Sequence, residues 1–162
     1  MRLRHLLTTA SAGLGALGGA MLVYGALVES KKLVLERFTL RVPHWPESKR
    51  GYQIGVLGDF HLHDAASIEL AEDAVAMVLD EQPDIVVLTG DLVARWRPEA
   101  PWMLGEVLGP MLLMNGAAVA IPGNHEYFGG EADHLEDILA ELGVTTLRNE
   151  SWTHDGVTWI GV

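Results

Sequence analysis

Residues 51–143 repeat one unit three times: a short apolar run, a polar loop, then a stretch with helical periodicity. The runs Gln53–Leu57, Ile85–Thr89 and Ala117–Ile121 show little alternation between apolar and polar positions, the pattern of strands buried on both faces. Behind the first run, Ile68, Ala71, Ala74, Val75 and Val78 recur at three- and four-residue intervals and mark one face of a helix that stops before Pro83. Trp102–Leu113 reads as a second helix, interrupted near Gly109-Pro110. Leu135, Ile138, Leu139 and Leu142 define a third, with Gly143 as its carboxyl cap. Strand and helix in alternation imply right-handed crossovers and a largely parallel sheet, so the expected class is α/β. The rhythm then changes. Val144–Leu147 reads as a short strand, and Ser151–His154 and Val157–Val162 flank Asp155-Gly156, a two-residue hairpin signal.

Ahead of this domain, Leu6–Val28 holds 23 residues without a charge. A helix of that length reaches roughly 34 Å, enough for a hydrocarbon core of about 30 Å. Residues 1–32 are therefore expected to be a membrane anchor. The alternative is a cleaved signal, because Arg2, Arg4 and His5 precede the run and small-residue sites lie within it. The chain is expected to be single-pass membrane-bound, or exported if the leader is cleaved; four basic residues past the run against two before it leave the side open. Residues 33–50 read as a juxtamembrane strand, Leu33–Val42, ended by Pro43 and Pro46, and a linker.

Charge is divided along the chain. Residues 1–50 carry eight Lys/Arg and three Asp/Glu, whereas residues 51–162 carry three and nineteen. An acidic domain lacks the basic face that displaces counterions from nucleic acid, so no nucleic-acid partner is expected. The basic leader suits a membrane surface. With no cysteine in the sequence, disulfides, thiolate metal sites and cysteine nucleophiles are excluded. A metal would be held by oxygen and imidazole nitrogen, which favours manganese, iron, zinc, magnesium or calcium.

Ligands of open α/β sheets collect where loops leave the carboxyl ends of strands. All three strands deliver metal-ligand side chains there: Gly58-Asp59-Phe60-His61, Gly90-Asp91, and Pro122-Gly123-Asn124-His125-Glu126. Alone, each reads as a turn or a helix cap. Together, each preceded by a glycine that permits close backbone approach, they read as one site. A nucleotide-binding α/β protein would place a glycine-rich phosphate loop after its first strand, and Gly58-Asp59-Phe60-His61 is not one.

Gly-Asp-x-His, Gly-Asp and Gly-Asn-His-Glu, with Asp59 and Asp91 separated by 32 residues and Asp91 and Asn124 by 33, resemble the first three signatures of the calcineurin-like metallophosphoesterases. Tyr127-Phe128-Gly129-Gly130 and Leu147-Arg148-Asn149-Glu150 resemble its bacterial YkuE-type branch. The resemblance implies that residues 51–162 are the amino-terminal half of an α/β/β/α sandwich, an incomplete domain. It implies a hydrolase of phosphate esters using two divalent ions, manganese, iron, zinc or calcium. Asp59 and His61 would bind the first ion, Asp91 would bridge, Asn124 would bind the second, and His125 would stand beside the phosphate as the catalytic histidine. By analogy the substrate is lipid-linked or nucleotide-linked. Relatives supply further histidines, including a Gly-His-x-His signature, from a later region. Without them the chain is expected to bind at most one ion well and turn over little, and a catalytically inactive, truncated, membrane-bound metal-binding remnant is the alternative. His63 stands where relatives often have glycine, and Asp64 follows it; they read as ordinary loop residues, or as an added ligand or substrate contact. The oligomeric state is not legible.

Overall fold

The structure, a computed structural model, describes residues 18–19, 21–25, 32–130 and 132–162. It divides into two compact units, Met1–Val34 and Leu35–Val162. In the first, residues 18–19 and 21–25 are helical. Most of the leader lies outside the described residues, and among those described no helix is long and apolar enough to cross a membrane.

The second unit is built on a four-stranded parallel sheet in the order β1 (Ile54–Leu57), β2 (Ile85–Leu88), β3 (Ala118–Ala120), β4 (Thr145–Thr146). Crossovers are made by α1 (Ala65–Leu79), by α2 (Ala100–Leu108) continuing into a 3-10 turn over Gly109–Met114, and by α3 (Asn124–Gly129) with α4 (Ala132–Glu141). The interruption anticipated at Gly109-Pro110 is where α-helix gives way to 3-10, because proline cannot supply the amide that an α-helix needs next.

The pleat sorts side chains by period two. Val86, Leu88, Ala118 and Ala120 join the helices' Val75, Leu104, Leu108, Met111, Leu135 and Leu139 in the main core. Ile85, Val119 and Leu147 face the other way and meet Trp152 and Trp159 of a separate antiparallel hairpin, β5 (Glu150–His154) and β6 (Val157–Gly161). Its turn residues Asp155 (φ 49°) and Gly156 (φ 76°) are both left-handed, as a type I′ turn requires. On β1 the second face is uncovered, with Ile54 and Val56 exposed.

Residues 33–42, expected to form a strand, belong to no sheet. Strand structure needs a partner for its backbone donors and acceptors. The segment is held by side chains instead: Leu35 packs against the core, and Arg37 forms a two-pronged ion pair with Glu81 at 2.8 and 2.6 Å.

Asp64 turns out to be the N-cap of α1. Its Oδ1 accepts from the Ser67 N–H at 2.8 Å, and its own N–H donates to Ser67 Oγ at 3.0 Å, a reciprocal capping box. The Ser67 amide, followed by the Ser67 hydroxyl, holds the Asp64 carboxyl below its ordinary pKa. A depressed folded-state value contributes stability above the unfolded-state pKa, and that contribution is lost as pH falls through the folded one. Asp64→Ala is therefore expected to lower Tm by a few degrees at pH 7. That deficit should shrink below about pH 4, as circular dichroism melts at the two pH values will show.

Candidate metal centre

Three loops leave the carboxyl edge of the sheet side by side. The loops after β1 and β2 continue the strand ladder: Asp59 N–H donates to Gly90 O (2.9 Å), His61 N–H to Asp91 O (3.0 Å) and Leu62 N–H to Leu92 O (3.0 Å). Within this ladder Asp59 (φ 59°), His61 (φ 47°) and Asp91 (φ 51°) all occupy the left-handed region. That conformation costs a non-glycine residue roughly 1–2 kcal/mol, and persists only where surrounding bonds dictate it. Other non-glycine residues, such as Gln82, Asn115 and Asn149, adopt it singly at turns, whereas these three stand side by side at the strand ends and all bear ligand-type side chains.

The glycines beside them are close-packed. A Cβ on Gly123 would lie 2.1 Å from Asp91 Oδ1, and one on Gly90 would lie 2.3 Å from the Gly123 nitrogen. Only glycine lets the second and third loops approach this closely.

His61, Asp91 and His125, all half-buried, bring one ligand atom each to within 4.8 Å of one another. His61 Nε2 lies 2.7 Å from Asp59 Oδ1 and 3.9 Å from Asp91 Oδ2. Asp91 Oδ1 accepts from the His125 backbone N–H at 3.0 Å. The His61 and His125 rings meet edge to face, centroids 4.4 Å apart. His125 Nδ1 lies 2.7 Å from the carbonyl of Ala94; a carbonyl can only accept, so Nδ1 carries the proton and Nε2 of the neutral ring keeps its lone pair.

Asn124 sits on the same edge. Without an ion its amide is satisfied only when its nitrogen donates to Asp91 Oδ2 (3.1 Å) and its oxygen accepts from His125 N–H (3.3 Å). Reversed, its oxygen faces a carboxylate oxygen, an approach that needs a cation between them. The donor set fits a divalent ion: two carboxylates, two imidazoles and an amide, with no sulfur. His61 Nε2 carries at most one proton for the two carboxylates beside it, whereas a cation answers both.

Of the expected site residues, the structure therefore gathers His61, Asp91 and His125 into one cluster, places Asp59 against it through His61, and places Asn124 against it through Asp91. His63 donates Nδ1–H to the carbonyl of His61 at 2.7 Å and remains half-exposed.

The sequence reading gave Glu126 no role, and it is the one buried charged residue among those described. Its Oε2 accepts from the N–H groups of Asp91 (3.0 Å) and Gly123 (2.8 Å), and its Oε1 from those of Leu92 (2.9 Å) and Val93 (3.2 Å). One carboxylate thus ties the second loop to the third. The sequence signal was the spacing Gly123-x-x-Glu126, an N-cap followed by an acid at N3.

A parallel α/β sheet that collects carboxylate, imidazole and amide donors at three successive strand ends belongs to the class of α/β domains whose strand-end loops could hold a metal ion. The chain belongs to the calcineurin-like phosphoesterase family, whose description matches residues 52–159. It is 30% identical over 131 residues to a zebrafish (Danio rerio) transmembrane protein with metallophosphoesterase domain, covering 78% of this chain and 29% of that protein. It is 28% identical to phosphodiesterase YaeI of Escherichia coli, covering 68% and 42%, and 23% identical to the uncharacterized metallophosphoesterase YkuE of Bacillus subtilis, covering 78% and 44%. The chain thus spans less than half the length of these relatives. No solved structure gives a significant match.

Proposed function

We propose that this chain carries the strand-end half of a two-metal centre that hydrolyses phosphate esters. In this reading Asp59 and His61 hold one divalent ion, Asp91 bridges, Asn124 holds the second and His125 stands beside the substrate phosphate. What supports it most is the convergence of His61, Asp91 and His125 ligand atoms within 4.8 Å at adjacent strand ends. Bound divalent ions supply Lewis acidity and an activated water for in-line displacement at phosphorus.

The chain's own groups do the remaining work. The His125 backbone N–H fixes Asp91 Oδ1, leaving Oδ2 facing His61 and Asn124. The Ala94 carbonyl fixes the tautomer and tilt of His125, so that Nε2 is the nitrogen which, once protonated, can donate to a phosphate oxygen or to a leaving group. The four-stranded sheet is read as one layer of an α/β/β/α sandwich, a reading supported by the open face at Ile54 and Val56. A membrane setting and a lipid-linked ester are supported by the uncharged run Leu6–Val28 and by the transmembrane relative.

Isothermal titration with Mn2+ tests the reading. One saturable site is expected, weakened about 100-fold or more in His61→Ala. Mn2+-dependent release of p-nitrophenol from bis(p-nitrophenyl) phosphate is expected to be slight in both chains, in line with one well-held ion. A wild-type chain that takes up no Mn2+ would sink the assignment.

A further inference from the structure

The short helix α3 carries Asn124, His125 and Glu126 but ends in Gly129-Gly130, with Gly130 left-handed (φ 72°). Six residues cannot sustain a helix by themselves, so contacts must fix its orientation. Its amino-terminal end is fixed by Glu126, as described. Successive residues turn by about 100°, so Tyr127 leaves the helix about 200° from His125, on the side away from the cluster.

Arg148 stands against that far side. Its guanidinium carbon lies 5.7 Å from the Tyr127 ring centroid, and Nη1 pairs with Asp133 and, at 3.6 Å, with Glu136, both on α4. Leu147, immediately before it, donates its N–H to Ala120 O at 2.8 Å, which anchors Arg148 at the end of β3 from which the third loop departs. One side chain therefore links the sheet edge, the outer face of α3 and the first turns of α4. A planar guanidinium can stack on a ring while its edges serve carboxylates, which an ammonium cannot do.

From this we infer that Arg148 is a positioning residue: it clamps α3 through Tyr127, and so sets where Asn124 and His125 stand relative to Asp91. The inference rests on the proposed metal-dependent reading. It assigns no contact with substrate to Arg148.

The full chain carrying Arg148→Ala is expected to show faster amide hydrogen exchange over residues 125–129 in the absence of metal. Its Mn2+ Kd should rise about 10-fold. Its unfolding midpoint should barely move, because half-exposed ion pairs contribute little. Arg148→Lys keeps the charge and loses the planar fork, so it should restore only part of the affinity. Tyr127→Leu should reproduce the defect, and the double variant should be no worse than either single one. Wild-type Mn2+ binding together with unchanged exchange and affinity in Arg148→Ala overturns the clamp, as does full additivity of the two substitutions. Absence of Mn2+ binding to the wild type instead sinks the functional reading beneath it.

Discussion

A chain carrying Asp91→Asn is expected to fold as the wild type does and to lose its metal. Asparagine tolerates the left-handed backbone that Asp91 adopts (φ 51°), and its amide oxygen can still accept the His125 N–H that Oδ1 receives at 3.0 Å. Glu126 binds residue 91 through the backbone N–H, which the substitution leaves in place. What changes is the charge and the second oxygen. The amide nitrogen would point donor hydrogens to where Oδ2 now faces His61 and Asn124. A hard divalent ion needs anionic oxygen, and a donor group in its place repels it. Removing groups that merely orient ligands commonly costs 10- to 100-fold in metal affinity. If Asp91 bridges as proposed, the substitution should raise the Mn2+ Kd by at least about 100-fold. A melting curve coincident with wild type separates this from unfolding. Near-normal Mn2+ affinity in the variant would remove Asp91 from the ligand set and with it the bridging role.

The contrast between Asp91 and Glu126 shows what a linear sequence conveys. Asp59, Asp91 and Asn124 were legible because each follows an apolar strand at a spacing of one crossover, and parallel strands bring such ends together. The α1 face was legible for the same reason: Ile68, Ala71, Val75 and Val78 are all buried. Glu126 carries no periodic signal, because its burial depends on two other loops arriving with their amides turned inward. Asp64 looked like a loop residue because its partner, Ser67, is a side chain and a backbone amide rather than a pattern. Residues 33–42 alternate like a strand, but alternation records a half-buried extended chain and says nothing of a ladder partner. Half of that is realised, with Leu33 and Leu35 partly buried while Val34, Phe38, Leu40 and Val42 are exposed. The left-handed backbone at Asp59, His61 and Asp91 was hidden as well, since nothing in those residue types requires it.

Glu126→Ala is expected to damage the fold itself. The wild-type carboxylate is almost fully buried and accepts four backbone N–H groups, two on each oxygen, at 2.8–3.2 Å. Alanine leaves four donors facing a small void. A buried amide without a partner costs about 1–3 kcal/mol. Even if water entering the void answers half of them, roughly 2–6 kcal/mol is lost from a domain whose whole stability is on the order of 5–15 kcal/mol. Tm should fall by about 10 °C or more. Glutamine is not a conservative replacement here: one end keeps an oxygen for two N–H groups, and the other turns an NH2 against two further donors. Glu126→Gln should therefore fall between wild type and alanine in thermal and urea unfolding. It should also weaken Mn2+ binding, because the second and third loops, which place Asp91 and His125, are no longer pulled together. A glutamine variant as stable as wild type would mean that the four contacts contribute little, and that the strained loops are held by the strand ladder alone.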